Sequence, residues 1–336
     1  MGILMSEVIF VPSDVHDETF KKYEEAYGIY FRSADPKLLR NFSELVEGLG
    51  LNADLTISTP GMFLAEPLSA ESKGLINDHE TDHVAEISVR MQQRLLNVPI
   101  QDNAQRMIYL PDYLGNRAID ASFSETLFHE ACGDWAGKER QFWVREGFAA
   151  RLALLGTTIS QIGLTLHFED GFRPVGVQEG LFRRRVGWTK RDHPDWSEER
   201  IITEASSKTA TSPRLASHKG GAAVDLRLKG GEELLDIGHD YPDGGALVYL
   251  DSPFVTQEQW QNRKLLKIAS AIAGISMYVG EDWHLSFEDN LSSLDENLVP
   301  KQGFVASYGP IKSFDLDTGE ITEMYGSEEL DLTFEL

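Results

Sequence analysis

Two short stretches in the C-terminal half of the chain combine histidines with carboxylates at a spacing suited to metal-assisted hydrolysis. The first places His218 in a loop of small residues just before a predicted strand that carries Asp225, and the second offers Glu281 and His284. Imidazole nitrogens and carboxylate oxygens are zinc ligands, and a catalytic zinc site keeps an open position for water. Together the stretches could supply three ligands and a carboxylate that accepts a proton from that water.

A third stretch offers a cation. Apolar residues alternate over residues 164–168, as in a half-buried strand, and Asp170 and Gly171 form a turn pair that ends it. Arg173 follows at a loop position, where Pro174 restricts the backbone. An arginine held there could stabilise a developing oxyanion.

The elements that must position these groups can be predicted from periodicity. Apolar residues alternate over 224–228, which puts Asp225 on the polar face of a strand. Thr256 and Gln259 form a capping box that opens an amphipathic helix, and a strand over 275–279 follows. A regular strand would place Glu281 and His284 on opposite faces, so a shared site requires a bulge, turn or strand end between them.

The surrounding elements indicate an α+β fold, with helices on one side of a mainly antiparallel sheet. Helical spacing begins at Glu139, and Gly156 is a plausible C-terminal stop for that helix. The segment 317–320 is a hairpin-turn signal near the C-terminus. We predict one domain that carries these groups over residues 139–336, and an N-terminal extension of unknown role over residues 1–138 that could pack on this core.

Composition excludes several partners. The chain has 54 acidic and 31 basic residues, a formal net charge of -23, which repels nucleic acid and anionic membrane surfaces. The single cysteine, Cys132, excludes an internal disulfide and is expected to be a buried hydrophobe. Arg183–Arg185 are expected to be solvated or paired with nearby carboxylates. No secretory signal or spanning segment is recognisable, so we expect a cytoplasmic protein; the oligomeric state is not indicated.

These stretches resemble the zinc D-alanyl-D-alanine dipeptidases and carboxypeptidases of the VanX and VanY type, peptidase family M15, from about Phe142 to Phe287. The pattern S-x-H-x-x-G-x-A-x-D is met by four residues: His218, Gly221, Ala223 and Asp225. The pattern E-x-W-H is met by Glu281, Trp283 and His284. The pattern D-G-Y-R-P is met by Asp170, Gly171, Arg173 and Pro174, with Phe172 in place of the tyrosine.

The resemblance implies that His218, Asp225 and His284 bind one zinc ion per chain and that Glu281 is the general base. It also implies that Arg173 stabilises the tetrahedral intermediate, that the fold is the Hedgehog/DD-peptidase fold, and that the substrate is D-Ala-D-Ala or a similar small peptide.

Two departures bear on the substrate. Ala216 replaces the first serine of the first pattern, although Ser217 remains. The family's aspartate for the substrate ammonium aligns with Pro242, and Asp243 comes one residue later. We therefore assign substrate binding to four residues, namely Ser217, His239, Asp243 and Trp283.

Three alternatives stay open. The chain could be a D,D- or L,D-carboxypeptidase that acts on longer peptidoglycan stem peptides, which needs no acidic partner for a free ammonium. It could also be a non-catalytic zinc-containing binding module. A rival H-E-x-x-H motif runs from His79 to His83, but its context is polar and it has no third ligand downstream.

Overall fold

A computed structural model describes residues 91–242, 245–250, 254–278, 280–294 and 300–334, with short pieces at 31–32, 63–64, 67–69, 73, 89 and 252. The H-E-x-x-H motif at 79–83 lies outside the described residues, and so does Asp243. Within the described part, no helix is long and apolar enough to cross a membrane.

Five α-helices lie in the described part of the chain: α1 (Leu110–Gly115), α2 (Glu146–Ser160), α3 (Val177–Asp192), α4 (Glu198–Lys208) and α5 (Gln257–Ala273). The strands are β1 (Phe31–Arg32), β2 (Phe63–Leu64), β3 (Met107–Tyr109), β4 (Ala121–Phe123), β5 (Trp143–Arg145), β6 (Thr165–Asp170), β7 (Ala223–Gly230), β8 (Glu233–Leu234), β9 (Ser276–Met277), β10 (His284–Ser286), β11 (Ile311–Phe314) and β12 (Ile321–Met324). Short 3-10 turns lie at Glu130–Trp135, Pro213–Leu215, Ser217–Gly220, Gly245–Val248 and Leu291–Ser293.

The central sheet has six strands in the order β4-β6-β7-β10-β9, with β8 paired to β7. Strand β4 runs parallel to β6, whereas the other pairings in this sheet are antiparallel. The sheet is therefore mixed, and the predicted α+β class is confirmed. Pairs β1-β2, β3-β5 and β11-β12 form separate two-stranded sheets.

One face of the central sheet is covered by helices. Alternate residues of the strands point into a buried apolar cluster shared with α2 and α5, in which Phe168, Leu226 and Leu285 meet helix residues such as Phe148 and Ala269. Because successive strand residues point to opposite faces, Asp225 faces away from this core. The face opposite this core is therefore where a polar site can form.

Residues before 139 contribute to the same body. Strand β4 is an edge strand of the central sheet, and β3 pairs with β5. The fully buried guanidinium of Arg145 donates to both carboxylate oxygens of Asp102, at 3.2 and 2.7 Å, and to the carbonyl of Gly220 at 2.7 Å. This ion pair thus supports the loop that carries His218. The border at residue 138 stays a prediction.

The predicted helix from Glu139 to Gly156 is wrong at both ends. Trp143–Arg145 form β5, because they pair with β3, and this long-range pairing leaves no trace in local periodicity. Helix α2 continues through Gly156 to Ser160. A Cβ at Gly156 would lie 2.5 Å from Cγ2 of Ile119, so glycine is needed there for close packing and does not end the helix.

Other local predictions are confirmed. The strand over 164–168 is β6, the strand over 224–228 is β7, and the hairpin signal at 317–320 joins β11 to β12. The capping box opens α5, since Oγ1 of Thr256 accepts from the Gln259 amide and Oε1 of Gln259 accepts from the Thr256 amide.

Candidate metal centre

Three buried side chains converge on the face of the sheet opposite the core shared with α2 and α5. His218 lies in the 3-10 turn that leads into β7, Asp225 is the third residue of β7, and His284 is the first residue of β10. The register pairs His284 directly with Asp225. One ligand atom from each residue lies within 4.8 Å of the other two, so the three could hold a metal ion.

Both imidazoles are oriented by hydrogen bonds. Nδ1 of His218 lies 2.8 Å from the carbonyl oxygen of Gly171 and donates to it, which leaves Nε2 as the nitrogen with the free lone pair. That Nε2 is buried, has no hydrogen-bond donor among the described residues, and lies 3.3 Å from Oδ1 of Asp225. Nδ1 of His284 lies 3.2 Å from the same oxygen, and its Nε2 lies 3.1 Å from the Ser286 hydroxyl.

This arrangement fits a metal. Histidine ligands of metals have one ring nitrogen held by a carbonyl or hydroxyl and the other turned to the ion. An unpartnered buried nitrogen is costly in a folded protein unless something binds it. The orphaned Nε2 of His218, turned to a carboxylate and a second imidazole, is the observation that supports metal binding here.

The carboxylate of Asp225 accepts hydrogen bonds from two side chains and is kept ionised by the two histidines. Its Oδ2 accepts a hydrogen bond from the hydroxyl of Tyr241 at 2.8 Å and one from Nη2 of Arg173 at 3.3 Å. Burial alone would favour the protonated acid, but His218 and His284 outweigh it and hold the pKa of Asp225 well below its usual range. The carboxylate is therefore ionised, as a metal ligand must be.

Glu281 lies in the turn just before β10. The amide of Glu281 donates to the carbonyl of Tyr278 at 3.3 Å, and the amide of His284 donates to the carbonyl of Glu281 at 3.1 Å. The predicted irregularity between Glu281 and His284 is therefore confirmed, and strand β9 ends earlier than predicted, at Met277. The turn lets both side chains reach one site.

The carboxyl of Glu281 is suited to proton transfer. Its Oε2 lies 3.8 Å from Nδ1 of His284, and its side chain is 30% exposed. Burial raises the pKa of Glu281 to about 7; the charge of Asp225 adds to this rise, and His284 opposes it. A carboxyl with a pKa near neutrality can both accept and return a proton.

Arg173 is held beside the metal site by three bonds. Its Nε donates to Oδ2 of Asp170 at 3.0 Å, Nη1 donates to Oε1 of Gln178 at 2.9 Å, and Nη2 donates to Asp225. Although burial opposes the charge, Asp170 and Asp225 raise the pKa of Arg173 above its ordinary value. The preceding Gly171 is required by packing, because a Cβ there would lie 2.6 Å from the carbonyl oxygen of Gln141.

These groups line a cavity of ≈ 370 Å³. His218, Asp225 and His284 form part of its wall together with Glu281 and Arg173. The opposite parts of the wall come from α3, the C-terminal end of α4 and residues 126–129. A cavity of this size next to a metal site can admit a small peptide.

The predicted substrate-binding residues lie in different places. Ser217 and Trp283 line the cavity, and the buried Oγ of Ser217 has no hydrogen-bond partner among the described residues. His239 does not line it; its Nε2 lies 3.0 Å from both carboxylate oxygens of Asp282, and its ring packs edge-on against Trp283. Asp243 lies outside the described residues.

Sequence reasoning assigned no site role to three cavity residues. Tyr241 bonds the metal-site carboxylate, and Arg140 pairs with Oδ2 of Asp170 at 2.9 Å. Arg185 lines the cavity from α3. None of these residues belongs to a motif, and the only available signal was their type, an aromatic hydroxyl or a cation in an acidic chain. Cys132 is buried, as expected.

Part of the chain matches a known protein family. No curated protein matches the chain significantly. The model of the Peptidase M15 family, described as D-ala-D-ala dipeptidase, matches residues 136–302, a segment that contains the three possible metal ligands, Glu281 and Arg173. Residues 136–302 of this chain therefore belong to the M15 family of metallopeptidases.

Proposed function

We propose that the protein is a zinc-dependent peptidase that hydrolyses D-Ala-D-Ala or a similar small dipeptide containing D-amino acids. The observation that carries this proposal is the buried cluster of His218, Asp225 and His284, with its orphaned imidazole nitrogen, beside Glu281 in a cavity. The family description supplies the D-Ala-D-Ala substrate class.

The ligand set favours zinc. Two imidazoles and one carboxylate form a common catalytic zinc set, and Mg²⁺ and Ca²⁺ prefer oxygen ligands. We propose one zinc ion per chain, held by His218, Asp225 and His284. When bound, zinc would supply a Lewis acid that polarises the scissile carbonyl and makes water a nucleophile near neutral pH.

Glu281 and Arg173 would perform the remaining steps. Oε2 of Glu281 accepts the proton of the attacking water and then returns it to the leaving amine nitrogen. The guanidinium of Arg173, fixed by its bonds to Asp170 and Gln178, offsets the negative charge that develops on the carbonyl oxygen. Arg173 is held in place before substrate arrives, which reduces the reorganisation needed in the transition state.

Four residues are proposed to bind the rest of the substrate. Ser217 offers a hydroxyl, and Trp283 an aromatic surface, in the cavity wall. Asp243 would pair with a free substrate ammonium. His239 acts through Trp283 and Asp282, which it contacts.

Comparison of two substrates tests the proposal. Zinc-loaded protein is incubated with D-Ala-D-Ala and with N-acetyl-D-Ala-D-Ala, and released D-alanine is measured. We expect faster cleavage of the free dipeptide. Preference for the acylated form identifies a carboxypeptidase, and binding without cleavage of either identifies a non-catalytic binding module.

A glutamate substitution tests the assigned base. Glu281→Gln should retain zinc and lower kcat by roughly 100- to 10,000-fold, the usual contribution of a general base. Glu258→Gln, on the exposed first turn of α5, is the matched control and should leave kcat unchanged. Unchanged turnover in Glu281→Gln would show that the base is another group.

The fold and the domain borders are also proposed from the family resemblance. We propose the Hedgehog/DD-peptidase fold, with residues 139–336 as the peptidase domain and residues 1–138 as an extension of unknown role. A cytoplasmic location remains a prediction.

A further inference from the structure

Helix α3 brings two arginines into the wall of the cavity, and neither has a counter-ion among the described residues. Arg184 and Arg185 both line the cavity and are half-buried. Neither lies within ion-pair distance of a carboxylate in the part of the chain that the structure describes. Three other cations of the same cavity do have carboxylate partners: Arg140 and Arg173 pair with Asp170, and Lys208 pairs with Glu204.

Of the two states expected for this cluster, solvated or paired with a carboxylate, Arg184 and Arg185 do not show the paired one among the described residues. Both guanidinium groups stack on Trp188, with the Cζ atoms 3.9 Å and 5.3 Å from the ring centroid. The Nε of Arg184 is buried and has no hydrogen-bond partner among the described residues. Stacking fixes two planar donor groups and leaves their N–H edges available.

Burial opposes the charges of Arg184 and Arg185, and the charge of Arg184 also opposes that of Arg185. Burial lowers the pKa of Arg184, and it also lowers that of Arg185. The charge of Glu281 opposes the fall in the pKa of Arg185, the charge of Arg184 adds to the fall, and Glu204 opposes it more weakly. Two adjacent cations that are partly removed from water without an anion are unfavourable, and a bound anion would relieve this cost.

We propose that Arg184 and Arg185 form a carboxylate-binding subsite for the peptide substrate. The proposal rests on the peptidase function proposed above. The carboxylate could come from the C-terminus of the leaving residue or from an acidic side chain. The C-terminus is favoured, because Arg185 and Glu281 line the same cavity, and the role proposed for Glu281 is to protonate the amine of that leaving residue.

Two pairs of peptides distinguish the sources. D-Ala-D-Ala and D-Ala-D-alaninamide differ in the C-terminal carboxylate, whereas D-Glu-D-Ala and D-Gln-D-Ala differ in a side-chain carboxylate. The kcat/KM of zinc-loaded protein is measured for all four peptides. The wild-type protein should prefer the carboxylate member of at least one pair, and Arg185→Met should lower that preference by about 10- to 100-fold, the effect of losing a charge-assisted hydrogen bond.

A control variant and a measurement of stability distinguish a role of Arg185 in substrate recognition from a structural role. Arg183→Met changes an exposed arginine of the same turn that does not line the cavity, and it should leave both preferences unchanged. Arg185→Met should unfold at the same temperature as the wild type or at a higher one, because it removes a charge without a counter-ion. Should Arg185→Met not fold, Arg185→Lys, which keeps the charge but lacks the planar fork, should show a reduced preference.

Each outcome is decisive. Loss of the preference for D-Ala-D-Ala over its amide in Arg185→Met assigns the subsite to the C-terminus. Loss of the preference for D-Glu-D-Ala assigns it to a side chain. Preferences that are unchanged in Arg185→Met and in the double variant with Arg184→Met overturn the subsite while leaving the peptidase function intact. Wild-type protein that cleaves none of the four peptides refutes the peptidase function itself, and the subsite with it.

Discussion

Replacing Tyr241 with phenylalanine should weaken zinc binding without unfolding the protein. The Tyr241 hydroxyl donates to Oδ2 of Asp225 at 2.8 Å, while Oδ1 of the same carboxylate faces the two imidazoles. Burial, together with the charges of Asp225 and Asp170, raises the pKa of Tyr241 well above its ordinary value. The hydroxyl therefore remains a donor throughout the neutral range.

The size of the effect follows from that bond. A hydrogen bond to a charged group contributes about 1.5 to 3 kcal/mol, and about 1.4 kcal/mol corresponds to a tenfold change in affinity. Loss of an outer partner of a metal ligand typically costs roughly 10- to 100-fold in metal affinity. The two estimates agree. Arg173 still donates to Oδ2 in Tyr241→Phe, so the carboxylate stays ionised and metal binding is weakened but not abolished.

Competition with a chelating dye at fixed pH measures the zinc dissociation constant directly. We expect it to rise by about 10- to 100-fold in Tyr241→Phe, with an unchanged unfolding midpoint of the metal-free protein. Tyr113→Phe, on α1 and outside the cavity wall, is the matched control. Zinc affinity equal to that of the wild type would refute the inference that Tyr241 orients the ligand carboxylate.

Three further predictions concern the scaffold. Asp102→Ala should lower the free energy of unfolding in urea by about 3 to 5 kcal/mol, because it leaves the buried charge of Arg145 without its carboxylate partner; a loss under about 1 kcal/mol would contradict this. Gly180→Ala should destabilise by about 1 to 3 kcal/mol, since its Cβ would lie 2.0 Å from a backbone oxygen, whereas Gly187→Ala on the same helix has open space and should stabilise slightly. Burial raises the pKa of Cys132, so its thiol should react with a disulfide reagent only after unfolding; prompt reaction in native buffer would show that the thiol is accessible.

The parts of the site that depend on residues close together in the sequence could be predicted. His218 and Asp225 are separated by one turn and the start of one strand, so their convergence follows from the loop and the strand alternation. The turn at Glu281 could be predicted because a regular strand would separate it from His284. Secondary-structure signals that depend on neighbouring residues, such as the capping box of α5, were equally visible.

Features that depend on distant contacts could not be predicted. The parallel pairing of β4 with β6 joins segments over 40 residues apart and makes the sheet mixed. No local sequence pattern indicates this pairing. The bond from Tyr241 to Asp225 depends on the path of the loop after β8. The unpaired state of Arg184 and Arg185 depends on which carboxylates reach α3, which composition alone does not reveal.

The most direct test of the central claim is to remove zinc and return it while D-Ala-D-Ala cleavage is measured. Protein stripped with a chelator should lose activity and recover it in proportion to added zinc, up to about one ion per chain. His218→Ala should neither retain the ion at that stoichiometry nor recover activity. Undiminished cleavage by the stripped protein, or full activity of His218→Ala, would contradict the assignment of a zinc peptidase site to His218, Asp225 and His284.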